Sequence, residues 1–513
     1  MSVMSLRANT TLTTIIMNAV TIRVPAPAQT SARRWRARTS AAAVAVLVGQ
    51  AVFLTAHAEN LIEVYQKAVL HDARMASALG AYRAGVEKLP QGRSQLLPTL
   101  TVNSEKMYSD SEITYEDPSP FESGTRSYED LKYSATLTQP LYRKQNFAAY
   151  KQSKAQMAAA EAQLSLARQD LMLRVAQAYF DLLSTQQVLV AATANTAAMK
   201  AQDDKGRIQL SLGSGSRLEA SEARAKYEMA RARELAVRHE LVNKQQALRR
   251  ITNETPGSLD ELKPGFPLVQ PDPSEVTAWV RMAEQQNPQL QALHFNVKAA
   301  RQEVERARAG HYPTLDLVAQ YSNAHATGSV YTGATSDTLI KSVGARLEMP
   351  IYQGGIVNSR VREAVGNLEK VRGEYEDALR ETVSQVTQHF NGSINGIDQV
   401  RALEQALISS REASRANRIG LELGTRNLVD FLNAEQQVYE VTRDLAKARQ
   451  DYIMSRLRLM AYAGRLTDDE LTALNAFLAH ASTKEPASAA PAEQPPSTDG
   501  GVTGTSVPKA SPQ

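Results

Sequence analysis

Cysteine is absent from all 513 residues, which excludes disulfides, thiolate metal sites and a lipid-acceptor cysteine at a processed N-terminus. A secreted chain of this kind must be held together by packing alone. Beyond residue 58 no stretch reaches 18 consecutive apolar residues, so no membrane-spanning helix is available and a membrane can be entered only as strands. The eight histidines are scattered, with no HExxH or other metal spacing. There is no P-loop, nucleophile elbow or carboxylate dyad, and the Gly213-x-Gly215 pair follows no strand, which makes it a poor nucleotide-binding signal. Neither an enzyme nor a cofactor or metal protein is expected.

Acidic residues are also absent from the first 58 positions, which carry six arginines. Arg33, Arg34, Arg36 and Arg38 precede an apolar run from Ala41 to Thr55, and Ala56-His57-Ala58 closes it. This pattern predicts a signal peptide over 1–58, cleaved after Ala58; its long charged region allows a true start at Met17. Removing six of 58 basic residues leaves 52 against 54 acidic ones, so the processed chain carries about −2. The basic pI belongs to the targeting segment and gives no reason to expect nucleic-acid binding.

The chain is built twice. LGTRNLVDFLNAEQQVY, Leu423 to Tyr439, has a counterpart about 211 positions earlier in LGSGSRLEASEARAKY, Leu212 to Tyr227. In each, a Leu-Gly pair ends a helix, with Gly213 and Gly424 at the left-handed C-terminal cap position. Glu219 and Asp430 follow in the first turn of the next helix, where a carboxylate complements the dipole. Each stretch is the tip of a helical hairpin. Pro98 and Pro313 match at an offset of 215, and QPLY and MPIY, ending at Tyr142 and Tyr352, match at 210. Offsets this close over half a chain argue for duplication of one structural unit.

The first unit, 59–255, reads as a helix from Asn60 to Gln95, a strand pair over 98–140 around an acidic loop from Asp110 to Arg126, a long helix over 142–212, the tip, and a return helix over 217–253. In the second strand Leu131, Tyr133, Ala135 and Leu137 alternate with Lys132, Ser134, Thr136 and Thr138, as in an outer-membrane barrel strand or, alternatively, a soluble hairpin. The long helix would reach ~100 Å at ~1.5 Å per residue. A connector over 256–273 leads to the second unit, 274–465: a helix from Glu275 to Gly310, a strand pair over 313–350, a long helix over 355–423, a tip and a return helix over 427–463. Val357, Val361, Ala364, Leu368, Val371, Tyr375 and Ala378 form a heptad seam on that long helix. A short C-terminal helix is predicted over 466–480, from Asp468 to His480, and the Pro/Ser/Ala/Gly stretch 481–513 as a disordered tail.

Four strands cannot close a barrel in lipid, because open edges there leave backbone groups unpaired at several kcal/mol each. Several copies must combine. Three would give twelve strands and twelve helical tracks.

The duplicated strand pairs entering long helices at QPLY and MPIYQGG, followed by LGTRNLVDFLNAEQQVYEVTRDLAKARQDYIMSRLRLM, resemble the TolC family of outer-membrane channel-tunnel proteins, and among them the type I secretion subgroup. The resemblance covers nearly all of 59–465, with G-T-R-x-x-x-D its most specific part. It implies an α+β membrane protein: a homotrimer with a 12-stranded β-barrel continued by a long α-helical barrel, crossing the periplasm from the outer membrane. It implies docking through the tips (Leu212, Gly213, Gly215, Leu423, Gly424, Thr425) onto a periplasmic adaptor and an inner-membrane ABC transporter, and export of an unfolded polypeptide such as an RTX-type toxin. It also implies a gate. Family positions for a tip arginine and its acidic partner are matched by Arg426 and Glu219. Of two acidic rings at the entrance, Asp430 matches the first, whereas Asn433 stands at the second, so three negative charges per trimer replace six. Leu421 stands where a gate tyrosine is found. On the residues alone, Glu219 and Asp430 read first as helix N-terminal charges, and Arg426 as a solvated turn residue is the alternative to a gate role. Two other functions are carried forward: a small-molecule efflux channel of the same fold, and a pore-free periplasmic coiled-coil adaptor or adhesin.

Overall fold

The computed structural model describes residues 59–116, 120, 123–263, 265–328 and 334–479. The predicted signal peptide with Ala58, and the tail over 481–513, lie outside the described residues.

In chain order the elements are α1 (Leu61–His71), α2 (Ala73–Val86), α3 (Lys88–Ser94), β1 (Thr99–Ile113), β2 (Gly124–Tyr142), α4 (Lys144–Ser211), α5 (Arg217–Thr252), β3 (Glu261–Leu262), α6 (Val276–Gln286), α7 (Pro288–Arg308), a 3-10 turn (Ala309–His311), β4 (Thr314–Ala326), β5 (Ser336–Glu348), α8 (Ile356–Glu422), α9 (Leu428–Tyr462), α10 (Asp468–Asn475) and β6 (Leu478–Ala479). The two units repeat one order, helices, strand pair, long helix and return helix, with α2 and α3 of the first standing where the second has α7 and the 3-10 turn, and α10 without a counterpart. At ~1.5 Å per residue, the 68 residues of α4 and 67 of α8 span ~100 Å each.

Four sequence expectations need correction. The first helical stretch is not continuous: Asp72 leaves the helix with ψ 118° and its carboxylate caps Met75 N–H at 2.7 Å, starting α2 afresh. Asn287 does the same in the second unit, capping Gln289 and Leu290 ahead of Pro288. The acidic loop is shorter than 110–126, because β1 runs on to Ile113 and β2 begins at Gly124, paired at Ile113↔Gly124. The C-terminal helix stops at Asn475, and Leu478–Ala479 pairs with Glu261–Leu262 inside the expected connector; His480 lies outside the described residues.

The four long strands form one antiparallel sheet, ordered β1-β2-β4-β5, so that the two units meet at β2 and β4. Register places Leu100, Leu137, Ala319 and Val343 in one transverse row and Thr101, Thr136, Gln320 and Ser342 in the next, pointing to the opposite face. On the apolar face Leu100, Val102, Tyr133, Leu317, Tyr321, Leu339, Val343 and Leu347 are all uncovered, and along β5 and most of β1 the opposite face is exposed as well. Polar Ser322 and Asp316 on the other face are buried. Apolar outside and polar inside is the sidedness of a membrane barrel wall.

Where β2 gives way to α4, the ladder slips between Pro140 and Tyr142, and Arg143 grips Asp316 through two nitrogens at 2.8 and 2.5 Å. The heptad seam of α8 is filled by α7, as Ala364 and Leu368 pack with Val304, Val297 and Ala300. Midway along the helices lies the main core. Tyr179, Phe180, Leu182, Leu248, Tyr452 and Leu457 bury themselves with Leu61 and Val64 of α1 and Leu471 of α10. Tyr452 Oη ties the connector down, bonding both N–H and C=O of Val269 at 2.9 Å.

The hairpin tips as candidate functional site

Both tips are built by the same hydrogen bonds. In the first, α4 ends at Leu212, Gly213 takes φ +73°, and the N–H groups of Ser214 and Gly215 both donate to Gln209 C=O at 3.0 Å. Ser216 then caps α5 by accepting from Leu218 N–H. In the second, Gly424 takes φ +71°, Thr425 and Arg426 N–H donate to Gly420 C=O at 2.8 and 3.1 Å, and Asn427 caps α9 through Asp430 N–H at 2.8 Å. Only glycine adopts these positive φ values without strain. Leu212 and Leu423 stand out from the turns, 75 % and 73 % exposed.

The second hairpin lies against the first through Phe431 and Leu432, which are buried with Met199 of α4 and Ala223 and Ala230 of α5. Leu421 packs into the same cluster, beside Tyr227 and Leu428. The residue at the gate-tyrosine position is thus an apolar contact within the hairpin pair.

Charges at the tips are arranged more locally than the family pattern suggests. Arg426 Nη1 faces Asp430 Oδ2 at 3.9 Å, one helical turn along, with the two side chains 63 % and 43 % exposed. Such an exposed pair contributes at most ~1 kcal/mol. Glu219 is exposed in the first turn of α5, and within one chain no ion pair joins it to Arg426. Asn433 does not point free into solvent: its Oδ1 accepts from Lys226 Nζ at 2.9 Å, and the same ammonium reaches Gln436 at 3.2 Å. Nearby, Glu435 accepts from Ser414 Oγ and, at 3.5 Å, from Arg418.

Sequence reading missed Lys226, Gln436, Gln209 and Gly420. Lys226 and Gln436 sit on facing helices far apart in sequence, and nothing local marks the pairing. Gln209 and Gly420 were legible in principle, because they occupy the same repeat position six residues before Gly215 and Arg426. Among the described residues there is no cluster of three or more histidine or acidic side chains able to hold a metal ion.

Comparison with known proteins places this arrangement. The family described as outer membrane efflux protein matches residues 64–254 and 279–465, one segment per repeat. Outer membrane protein TolC of Escherichia coli is 30 % identical over 443 residues, 85 % of this chain and 88 % of that protein. Alkaline protease secretion protein AprF of Pseudomonas aeruginosa is 30 % identical over 425 residues, 82 % and 88 % of the two chains. In fold, the chain superposes on the CmeC outer membrane channel of Campylobacter jejuni with a TM-score of 0.68 at 17 % identity, covering 82 % and 90 %. VceC of Vibrio cholerae gives 0.66 at 18 %, covering 79 % and 96 %. These matches set aside the pore-free adaptor or adhesin. With its duplicated hairpins, its two-faced sheet and these relatives, the chain belongs to the outer membrane efflux protein family, and is an outer-membrane channel of the TolC type that extends through the periplasm.

Proposed function

We propose that the chain is the outer-membrane channel-tunnel of a type I secretion system, exporting a polypeptide in one step. The observation that carries this reading is that relatives named for protease secretion match over most of the chain: AprF, and the proteases secretion protein PrtF of Dickeya chrysanthemi, 29 % identical over 82 % of this chain. One relative named for efflux, BepC of Brucella suis, is 25 % identical over 62 % of this chain.

Three copies close the barrel, with β5 of each pairing with β1 of the next, because two open edges per four-stranded sheet have no other partner in hydrocarbon. The exposed leucines Leu212 and Leu423, with Gly213, Gly215, Gly424 and Thr425 shaping the turns, form the surface that docks a periplasmic adaptor; an inner-membrane ABC transporter supplies the energy. The channel itself performs no chemistry. It gates: Arg426 and Glu219, unpaired with each other inside one chain, pair across the closed entrance, and Asp430 lines it.

The test is a deletion strain, with secreted protein and drug susceptibility measured in the same cultures. Loss of one large secreted polypeptide at unchanged susceptibility is expected. Normal secretion with sharply increased sensitivity would overturn the export reading in favour of small-molecule efflux.

A further inference from the structure

Superposing the repeats at an offset of 211 pairs Gln209 with Gly420 and Gly215 with Arg426. In each tip these two residues touch across the turn. A side chain added at Gly215 would put its Cβ 2.9 Å from Gln209 Cβ and 3.0 Å from the Gln209 carbonyl carbon. A side chain added at Gly420 would put its Cβ 2.6 Å from Arg426 Cγ and 3.1 Å from Arg426 Cβ. Contacts under about 3 Å do not fit between carbon atoms with van der Waals optima near 3.5–4.0 Å. Each tip therefore carries one glycine at this contact, on opposite sides in the two repeats. Neither glycine is there for its backbone angle: the positive-φ glycines of the tips are Gly213 and Gly424. Within α8, glycine at position 420 is a poorer helix former than alanine. The geometry gives a different reason for it.

We propose that Gly420 is the positioning residue for Arg426, a proposal that rests on the gate reading above. Gly420 leaves bare backbone against which the first two side-chain carbons of Arg426 lie, while its carbonyl holds the Thr425 and Arg426 N–H groups and the Thr425 hydroxyl at 2.8, 3.1 and 3.2 Å. Backbone and stem are thus fixed together, and the guanidinium leaves the turn in one direction, past Asp430. With the stem ordered in advance, less side-chain entropy is lost when the cation meets its carboxylate across the entrance. The first tip, with glycine at 215, keeps the same turn and carries no cation at that position; its arginine, Arg217, stands exposed at the start of α5 instead. Which side of the contact carries the glycine decides which of the two turns holds a cation against it.

Full-length R426G, G420A and G420A/R426G, reconstituted in planar bilayers, test this. The double variant reproduces the first tip's arrangement, a side chain on the helix and glycine in the turn, and so is expected to assemble. R426G is expected to raise the single-channel conductance several-fold, G420A to raise it to a similar level, and the double variant to match R426G. Leakage of R426G with wild-type conductance of G420A would overturn the positioning role and leave the gate reading standing. Wild-type conductance of R426G would overturn the gate reading itself. Additive effects in the double variant, or its failure to assemble, would mean that Gly420 acts on the tip independently of Arg426.

Discussion

Lys226 on α5 reaches across to α9 and places its ammonium between two neutral amide oxygens, Asn433 Oδ1 at 2.9 Å and Gln436 Oε1 at 3.2 Å. Beside the apolar cluster around Phe431 and Leu432, this is a polar link that holds the second hairpin to the first close to the tips. A charge-assisted hydrogen bond contributes about 1.5–3 kcal/mol when shielded, and less for a half-buried group such as this. K226M is expected to raise amide exchange in the first turns of α9 while leaving the core midway along the helices protected. Uniform exchange throughout would show that the latch carries no local stability.

The same lysine shapes the charge at the proposed entrance. N433D introduces a carboxylate next to an existing ammonium, so most of its charge is neutralised where it arises. Multivalent cations added from the tip side should block N433D channels only slightly better than wild type, and K226M/N433D channels distinctly better. Equal block in the single and double variants would argue against this neutralisation.

Phe431 and Leu432 are buried against the first hairpin with almost no exposure. Truncating a buried leucine costs about 2–5 kcal/mol. L432A should therefore loosen the tips and raise basal conductance, whereas L212A, which removes an exposed side chain, should impair adaptor capture at normal heat stability. Pull-down of the adaptor alongside conductance separates the two.

At the break between α1 and α2, Asp72 is buried and receives two guanidinium nitrogens of Arg174 at 2.8 and 3.1 Å. The Arg174 hydrogen bonds, helped by Met75 N–H, outweigh burial and hold the Asp72 carboxyl below the usual aspartate range. A carboxylate whose folded pKa is depressed contributes stability that is complete above the unfolded value, ~3.9, and is lost as pH falls through the folded value. D72N leaves the half-buried Arg174 with Asp170, at 2.6 Å, as its remaining carboxylate partner and should cost about 1.5–3 kcal/mol near neutrality. The gap in melting temperature from wild type should narrow below about pH 4. A gap independent of pH would place the effect in the helix cap alone.

The two faces of the sheet give a sidedness test. Lysine at Val343, on the exposed apolar face, should cost about 2–4 kcal/mol if that face meets lipid near mid-bilayer. Lysine at neighbouring Ser342, on the polar face, should be tolerated. Heat stability of extracted trimers reads both, and the reverse order would invert the barrel.

Much of this was legible because the pattern occurs twice. Strand alternation at Leu131–Thr138, proline stops at Pro98 and Pro313, and glycine turns at Gly213 and Gly424 are local signals, and duplication confirmed each. The helix breaks at Asp72 and Asn287 were misread because Asp and Asn inside an apolar period look like exposed helical residues until their side chains are seen capping the next turn. The small sheet of β3 and β6 was hidden for another reason: two-residue strands more than 200 residues apart leave no periodicity to find. At the site, residue identities fixed the turns, but partners depended on how two hairpins pack. Asn433 appeared as an empty place in a ring of charge, whereas it is occupied by Lys226.

The open flanks of β1 and β5 bear on how the protein reaches the membrane at all. A solitary chain offers the bilayer a sheet whose two margins are unfinished, and no rearrangement of its own strands can finish them. Arrival in the membrane is therefore tied to encounter with siblings, and its rate must rise steeply with how many chains are in the periplasm together. Under sparse synthesis, chains should wait there and fall to proteases. The quantity of working channel would then respond to expression as a threshold rather than in proportion.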